Sequence, residues 1–263
     1  MTVGVFGLGR FGSFWASLLS ERFSVIAYDR DPDIKPPQRV RRVSLEALGN
    51  CPIVFLCVTI RAVPEVLQVI APYLAKNTII ADTCSVKVLP GKWLLEYLPQ
   101  ETPILATHPM FGPESAKDGL EGLAIMIDPL RLDARQAQFW EDVFAGLGLT
   151  VVRMTCEEHD REAAYSQALT HFVGRSLYRI GLPETPIATR WYKKLHSVAK
   201  QCVRDSHVLF EDMQTLNPFA QEMRRRVVQG FIDTLQDLGD PSTQQLIQID
   251  EKIREEPHDR CSE

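Results

Sequence analysis

Val3-Gly4-Val5-Phe6-Gly7-Leu8-Gly9-Arg10-Phe11-Gly12 runs a short apolar stretch into three glycines spaced G-x-G-x-x-G. A second apolar run, Ser24–Asp29, ends on a carboxylate 22 residues after Gly7. In a strand–turn–helix unit the first glycine permits the tight turn. The second lets a pyrophosphate approach the backbone, and the third lets the helix pack on the strand. Phosphates would then meet the free N–H groups of the helix start. The whole loop, with Leu8, Arg10 and Phe11 between its glycines, is therefore expected to hold a dinucleotide. Asp29 is placed to bind the ribose diol and repel a 2′-phosphate, which favours NAD over NADP. Arg30 follows directly, and Arg39, Arg41 and Arg42 come soon after. Arg30 is a further candidate cofactor contact, and the basic cluster is either a solvated loop, the favoured reading, or a set of cations that could meet a 2′-phosphate.

Outward from this unit, further runs at Ile53–Val58, Thr78–Ala81, Ile104–Thr107, Leu123–Ile127 and Thr150–Met154 predict strands. They are continuously apolar, as strands covered on both faces are. Helical stretches lie between them at Phe11–Glu21, Pro64–Leu74, Val88–Leu98 and Ala134–Gly146, the last with Asp133 as its cap. After Met154 the strand signal stops. Glu157–Ile180, Pro186–Leu216 and Pro218–Leu238 read as long helices, with a short amphipathic segment after Gly239. The expected fold is α/β: a doubly wound parallel (Rossmann) sheet over 1–155, then an all-helical domain over 156–263.

Composition narrows the functional classes. The 263 residues are 45% hydrophobic and 24% charged, which excludes wholesale disorder. With 34 acidic against 29 basic residues, a net charge of −5 argues against a nucleic acid or an anionic membrane as partner. The six cysteines form no C-x-x-C pair and no zinc-type cluster, so no metal is expected, and a reduced, cytoplasmic protein is. No secretory signal is visible, and the longest apolar run, Ile53–Val58, is too short to span a bilayer.

Ligands of open α/β sheets bind beyond the carboxyl ends of the strands. Val58 and Thr59 lie at one such end, beside the expected cofactor. Asp82-Thr83-Cys84-Ser85-Val86-Lys87 and Thr107-His108-Pro109-Met110-Phe111-Gly112-Pro113 follow two others. A hydroxyl (Ser85), an ammonium (Lys87) and an imidazole (His108) thus converge on one rim. Each also has a plain structural reading, as helix cap, solvated cation or strand-end residue. On the first long helix of the second half, Gln167 and His171 share a face, with Gly174 small enough for close approach.

These stretches, with Glu158-His159-Asp160 and Gln167-Ala168-Leu169-Thr170-His171-Phe172, resemble the prephenate/arogenate dehydrogenase family of tyrosine biosynthesis. The resemblance spans nearly the whole chain, and His-Pro-Met-Phe-Gly is its most specific string. It implies an NAD-dependent oxidative decarboxylation of prephenate to 4-hydroxyphenylpyruvate, with arogenate as the alternative substrate. A non-catalytic NAD-binding regulatory homologue is a further alternative. The resemblance makes His108 the base that takes the substrate's hydroxyl proton and Ser85 the hydroxyl that orients His108 and the substrate. It gives Lys87, His171 and Lys193 to the substrate site. One departure stands out: Gln201 aligns where the family usually carries an arginine for a substrate carboxylate. A neutral amide cannot make that charge-assisted pair, and Arg204 is the nearer substitute on that helix face. No fused mutase or regulatory segment is expected. Apolar residues Val227, Val228, Phe231, Ile232 and Leu235 suggest a homodimer through the C-terminal helices.

Overall fold

Alternation along the first strands explains how the sheet is covered. In β1 (Thr2–Phe6), Val3 and Val5 enter one apolar layer and Phe6 enters the other. In β4 (Ile53–Leu56), Ile53 and Phe55 go one way, Val54 and Leu56 the other. The computed structural model describes residues 1–240; the amphipathic segment expected after Gly239 lies outside the described residues. Eight strands form one sheet in the order β3-β2-β1-β4-β5-β6-β7-β8. The others are β2 (Ser24–Tyr28), β3 (Val40–Arg42), β5 (Ile79–Asp82), β6 (Ile104–Pro109), β7 (Ala124–Arg131) and β8 (Thr150–Arg153).

On one face, α1 (Arg10–Leu19) and α5 (Ala134–Gly146) bring Trp15, Trp140 and Phe144 against Phe55. On the other, α2 (Leu45–Gly49), α3 (Val63–Ile70) and α4 (Val88–Tyr97) cover Leu56 and Ile80 with Leu48, Leu67 and Leu94. Truncating any of the buried aromatics to alanine costs about 3–5 kcal/mol in such cores. Asp133 caps α5 through a reciprocal box with Gln136.

The winding direction reverses between β1 and β4, so the crevice at that switch point opens beside the glycine loop. The sheet is mostly parallel, and β7 is the departure from the expected all-parallel order: it pairs antiparallel with β6, setting His108 opposite Met126. The reason is the connection. Residues 110–123 return from β6 without a crossover helix, and only a crossover brings a strand back parallel. The β7–β8 pair is parallel again, joined through α5.

Beyond β8 every element among the described residues is helical: α6 (Cys156–Ala163), α7 (Leu169–Ile180), α8 (Arg190–Cys202), α9 (His207–Thr215) and α10 (Ala220–Asp237). Two differences from the expected long helices have physical causes. A π turn over Ala164–Ala168 separates α6 from α7. Residues 203–206 break the second stretch, and Ser206 caps α9 by accepting from the Leu209 N–H. Gly174 permits the close approach of α7 and α8, since a Cβ there would lie 2.5 Å from Cys202 Sγ. No helix among the described residues is long and apolar enough to cross a membrane.

Candidate active site

Gly7 has φ +97°, and a Cβ on it would lie 2.4 Å from the Cys57 carbonyl oxygen. A Cβ on Gly12 would lie 2.0 Å from the Gly7 carbonyl oxygen. These two glycines are needed by the protein itself. Gly9 is different: a Cβ there would meet nothing within 4 Å, and as N-cap it leaves α1 without a side-chain cap. Open space in front of an uncapped helix start fits a pyrophosphate. Leu8 and Phe11 are core side chains, Phe11 stacking on Trp15, so they serve the loop through their backbone. Leu8 donates its N–H to Asp29 Oδ2 at 2.6 Å, and Asp31 donates to Oδ1 at 2.9 Å. The Asp29 carboxylate is thereby fixed at the end of β2 with lone pairs left for a ribose diol. Val58 and Thr59 follow β4 on the other side of the switch point.

Arg42 is not part of a solvated cluster. Its guanidinium donates to the carbonyl oxygens of Asp29, Asp31 and Ile34, bracing the loop that carries the Asp29 carboxylate. Arg30, Arg39 and Arg41 are exposed.

His108, in β6, is 3% exposed. Its Nδ1 lies 2.8 Å from Nε2 of His159, in α6, and His159 Nδ1 lies 2.9 Å from Asp160 Oδ1. The same carboxylate accepts the backbone N–H groups of Lys87 at 2.7 Å and Val88 at 2.8 Å, which start α4. A carboxylate only accepts, so His159 carries its hydrogen on Nδ1 and offers Nε2 as acceptor. His108 must then donate from Nδ1, leaving the Nε2 lone pair free to take a proton. Burial, then the neighbouring His159, then the Lys87 ammonium hold the His108 pKa well below the usual histidine range. The imidazole is accordingly neutral near pH 7, the state a proton acceptor needs.

Two expected placements differ in the structure. Lys87, expected at the substrate, is fully buried, and its ammonium pairs with Asp82 and donates to the Thr107 carbonyl oxygen at 2.6 Å. Burial is the largest single influence and lowers its pKa, but the Asp82 charge and hydrogen bond, together with Cys84 and Cys156, leave the pKa raised. Ser85 makes no hydrogen bond to His108, whose Nδ1 is held by His159. The Ser85 hydroxyl is buried and has no hydrogen-bond partner, which leaves it for a ligand. The role of His159 and Asp160 was not legible from spacing, since they meet His108 and α4 from 51 and 72–73 residues away.

His171, in α7, also has a buried and unpartnered Nδ1, while its Nε2 lies 3.7 Å from Asp205 Oδ2. Burial depresses its pKa, against the opposing pull of Asp205. Asp205 reaches toward Arg10 at 3.9 Å, Arg10 donates to Glu114 at 3.0 Å, and Arg204 stands 4.0 Å from Glu114. This charged group spans the rim between the glycine loop and the α8–α9 turn. Arg204 is thus at the rim, while Lys193 and Gln201 are exposed along α8.

A glycine loop ahead of an uncapped helix start and a buried, neutral imidazole on the same sheet define the class: a dinucleotide-binding protein of the dehydrogenase type. A family model described as "Prephenate dehydrogenase, nucleotide-binding domain" matches residues 25–141, and one described as "TYRAAT1-like, C-terminal domain" matches residues 176–249. The chain is 34% identical to arogenate dehydrogenase 1, chloroplastic, of Arabidopsis thaliana, over 88% of its own length and 38% of that protein. It is 33% identical to arogenate dehydrogenase 2, chloroplastic, of the same plant, over 88% of its own length and 68% of that protein. A solved structure of prephenate dehydrogenase from A. aeolicus, in complex with hydroxyphenyl propionate and NAD+, superposes with a TM-score of 0.68. It is 19% identical and covers 97% of this chain and 96% of that one, a likeness of fold. The chain belongs to the prephenate/arogenate dehydrogenase family.

Proposed function

We propose that this protein is an NAD-dependent dehydrogenase that oxidatively decarboxylates arogenate, with prephenate, the keto counterpart, as the competing substrate. The observation that carries the reading is the free Nε2 lone pair of His108, fixed by His159 and Asp160. His108 would take the proton of the ring hydroxyl while the ring carboxylate leaves as carbon dioxide and the ring becomes aromatic. When bound, the nicotinamide supplies the hydride acceptor. Asp29 favours NAD because a 2′-phosphate would meet its carboxylate, and Arg42, the nearest brace, is engaged with backbone carbonyls.

Arogenate is preferred over prephenate on two grounds. The two plant relatives are named arogenate dehydrogenases, and Asp205 sets a carboxylate beside His171, where an ammonium is welcome and a keto group gains nothing. The unpartnered Ser85 hydroxyl and His171 Nδ1 are the proposed polar contacts to substrate, and Arg204 the proposed cation for its carboxylate. The intact base argues against a non-catalytic regulator. We further place the protein in the cytoplasm as a homodimer built on its helical half; its five free thiols among the described residues suit a reducing compartment.

Turnover of both substrates by purified protein, with NAD and NADP in parallel, tests the reading. Arogenate with NAD should give the highest kcat/KM, and Asp205→Asn should lower it for arogenate more than for prephenate. Binding of NAD without turnover of either substrate would sink the enzyme reading.

A further inference from the structure

His108 is buried, and three features discourage a proton from staying on it: burial away from bulk water, then the neighbouring His159 ring, then the Lys87 ammonium. Yet the proposed reaction demands that a proton be held. The substrate's O–H bond breaks as the carbinol carbon gives up its hydride, and its electron pair forms the ring carbonyl. Loss of carbon dioxide from the opposite ring carbon then pushes an electron pair through the ring onto that oxygen. The phenolate needs a proton back. Oxidation and decarboxylation together release no net proton, so the base borrows one and returns it.

We infer that the borrowed proton is kept on His159, with His108 as the conduit. The hydroxyl proton goes to His108 Nε2, and the Nδ1 proton of His108 crosses the 2.8 Å contact to His159 Nε2. His159 becomes an imidazolium whose Nδ1–H already points at Asp160 Oδ1, 2.9 Å away. His108 is neutral again, and the reverse transfer delivers a proton to the phenolate oxygen. Asp160 is tied to the backbone of Lys87 and Val88, and its own carbonyl accepts from Asn217 Nδ2 at 2.8 Å, so the anion is held where the imidazolium forms. The charged groups around the pair are Asp160 on α6, Lys87 at the start of α4 and Asp82 on β5. The Lys87 and Asp82 charges pair with each other, which leaves Asp160 as the unspent partner for the imidazolium. His159 is thus a positioning residue that also stores the proton. This inference rests on the reading of His108 as the base.

Two measurements test it. In nucleotide-free protein labelled with 15N-histidine, long-range proton–nitrogen spectra should show both His108 and His159 protonated on Nδ1 and bare on Nε2. A His108 protonated on Nε2 overturns the relay, with no appeal to activity. In single-turnover experiments in mixed light and heavy water, the unmodified enzyme should show a curved dependence, the sign of two protons in flight. His159→Gln, whose amide oxygen still accepts from His108 Nδ1 but takes no proton, should give a linear dependence. Its rate should fall by about one to two orders of magnitude, short of the ~10²–10⁴-fold worth of the base itself, with KM unchanged. Full rate and a curved dependence in His159→Gln discard the relay alone; full rate in His108→Asn discards the base assignment beneath it.

Discussion

Lys87 and Asp82 form an ion pair in which neither side chain is exposed, and the ammonium is further held by the carbonyl of Thr107, the residue before His108. The pair is part of the floor that carries His108, and substituting Lys87 should show in stability before it shows in binding. Lys87→Met strands the Asp82 charge in the interior, which typically costs about 3–5 kcal/mol. Urea unfolding should register that loss. Native stability with a raised KM would return Lys87 to the substrate's side.

The depressed pKa of His108 fixes a sign for stability against pH. The unfolded chain's histidine takes a proton near pH ~6.5, whereas the folded His108, held back chiefly by burial, takes one well below that. Below pH ~6.5 the unfolded state binds more protons, so stability falls with pH by up to about 1.4 kcal/mol per unit for this group. His171 adds to the same slope, because burial lowers its pKa too. Unfolding free energies at pH 7 and pH 5 should differ less in His108→Asn than in the unmodified protein. An equal difference would mean that His108 titrates as an ordinary surface imidazole. The acid limb of turnover should likewise lie below pH ~6.5.

The glycine loop separates structure from binding at adjacent positions. Gly9→Ala adds a methyl group to open space, so the fold should lose no more than about 1 kcal/mol, while NAD affinity drops because the pyrophosphate's place is narrowed. Gly12→Ala puts a methyl group 2.0 Å from a backbone oxygen and should unfold or severely destabilise the sheet half. Thermal melts and NAD titration on the two variants decide this; a Gly9→Ala protein with unchanged affinity would move the phosphates elsewhere.

The sequence announces the sheet because its strands are local apolar runs punctuated by glycine and proline. It gives α5 away through Asp133, whose cap is a three-residue affair. The edge strand β3 stays hidden, since Val40-Arg41-Arg42 carries a single buried apolar residue. The reversal of β7 is equally silent, for strand direction resides in the connection and not in the strand. At the site, His108 is legible from its place at a strand end. Its partner is not: the bond to His159 closes only when α6 packs on β6 and α4, a matter of tertiary assembly. Lys87 misleads for the same reason, a cation in a site-like string whose partner, Asp82, sits on the preceding strand and draws it inward.

The last prediction concerns the outer face of α10. Ile232 packs inward at 4% exposure, while Phe231 is 61% exposed, with Val228 one turn before it and Leu238 two turns after, both also exposed. The apolar residues of this helix, expected on more than one side of it, divide between a small core, where Val227 packs near Met223, and an outward stripe. A two-fold dimer would cover that stripe with its own copy. Burying a phenylalanine side chain contributes about 1.5–3 kcal/mol, and a two-fold interface counts it twice. Phe231→Glu should then weaken the dimer by about 3–6 kcal/mol, or roughly 10²–10⁴-fold in Kd. Because the side chain is exposed in the single chain, the variant's own fold should change by no more than about 0.5 kcal/mol. Light scattering behind a sizing column, at micromolar protein, should show a dimer for the unmodified chain and a monomer for the variant. A monomeric unmodified protein removes the dimer. A dimer that survives Phe231→Glu moves the interface to another apolar surface, of which the exposed Ile187 and Trp191 at the start of α8 are the next to test.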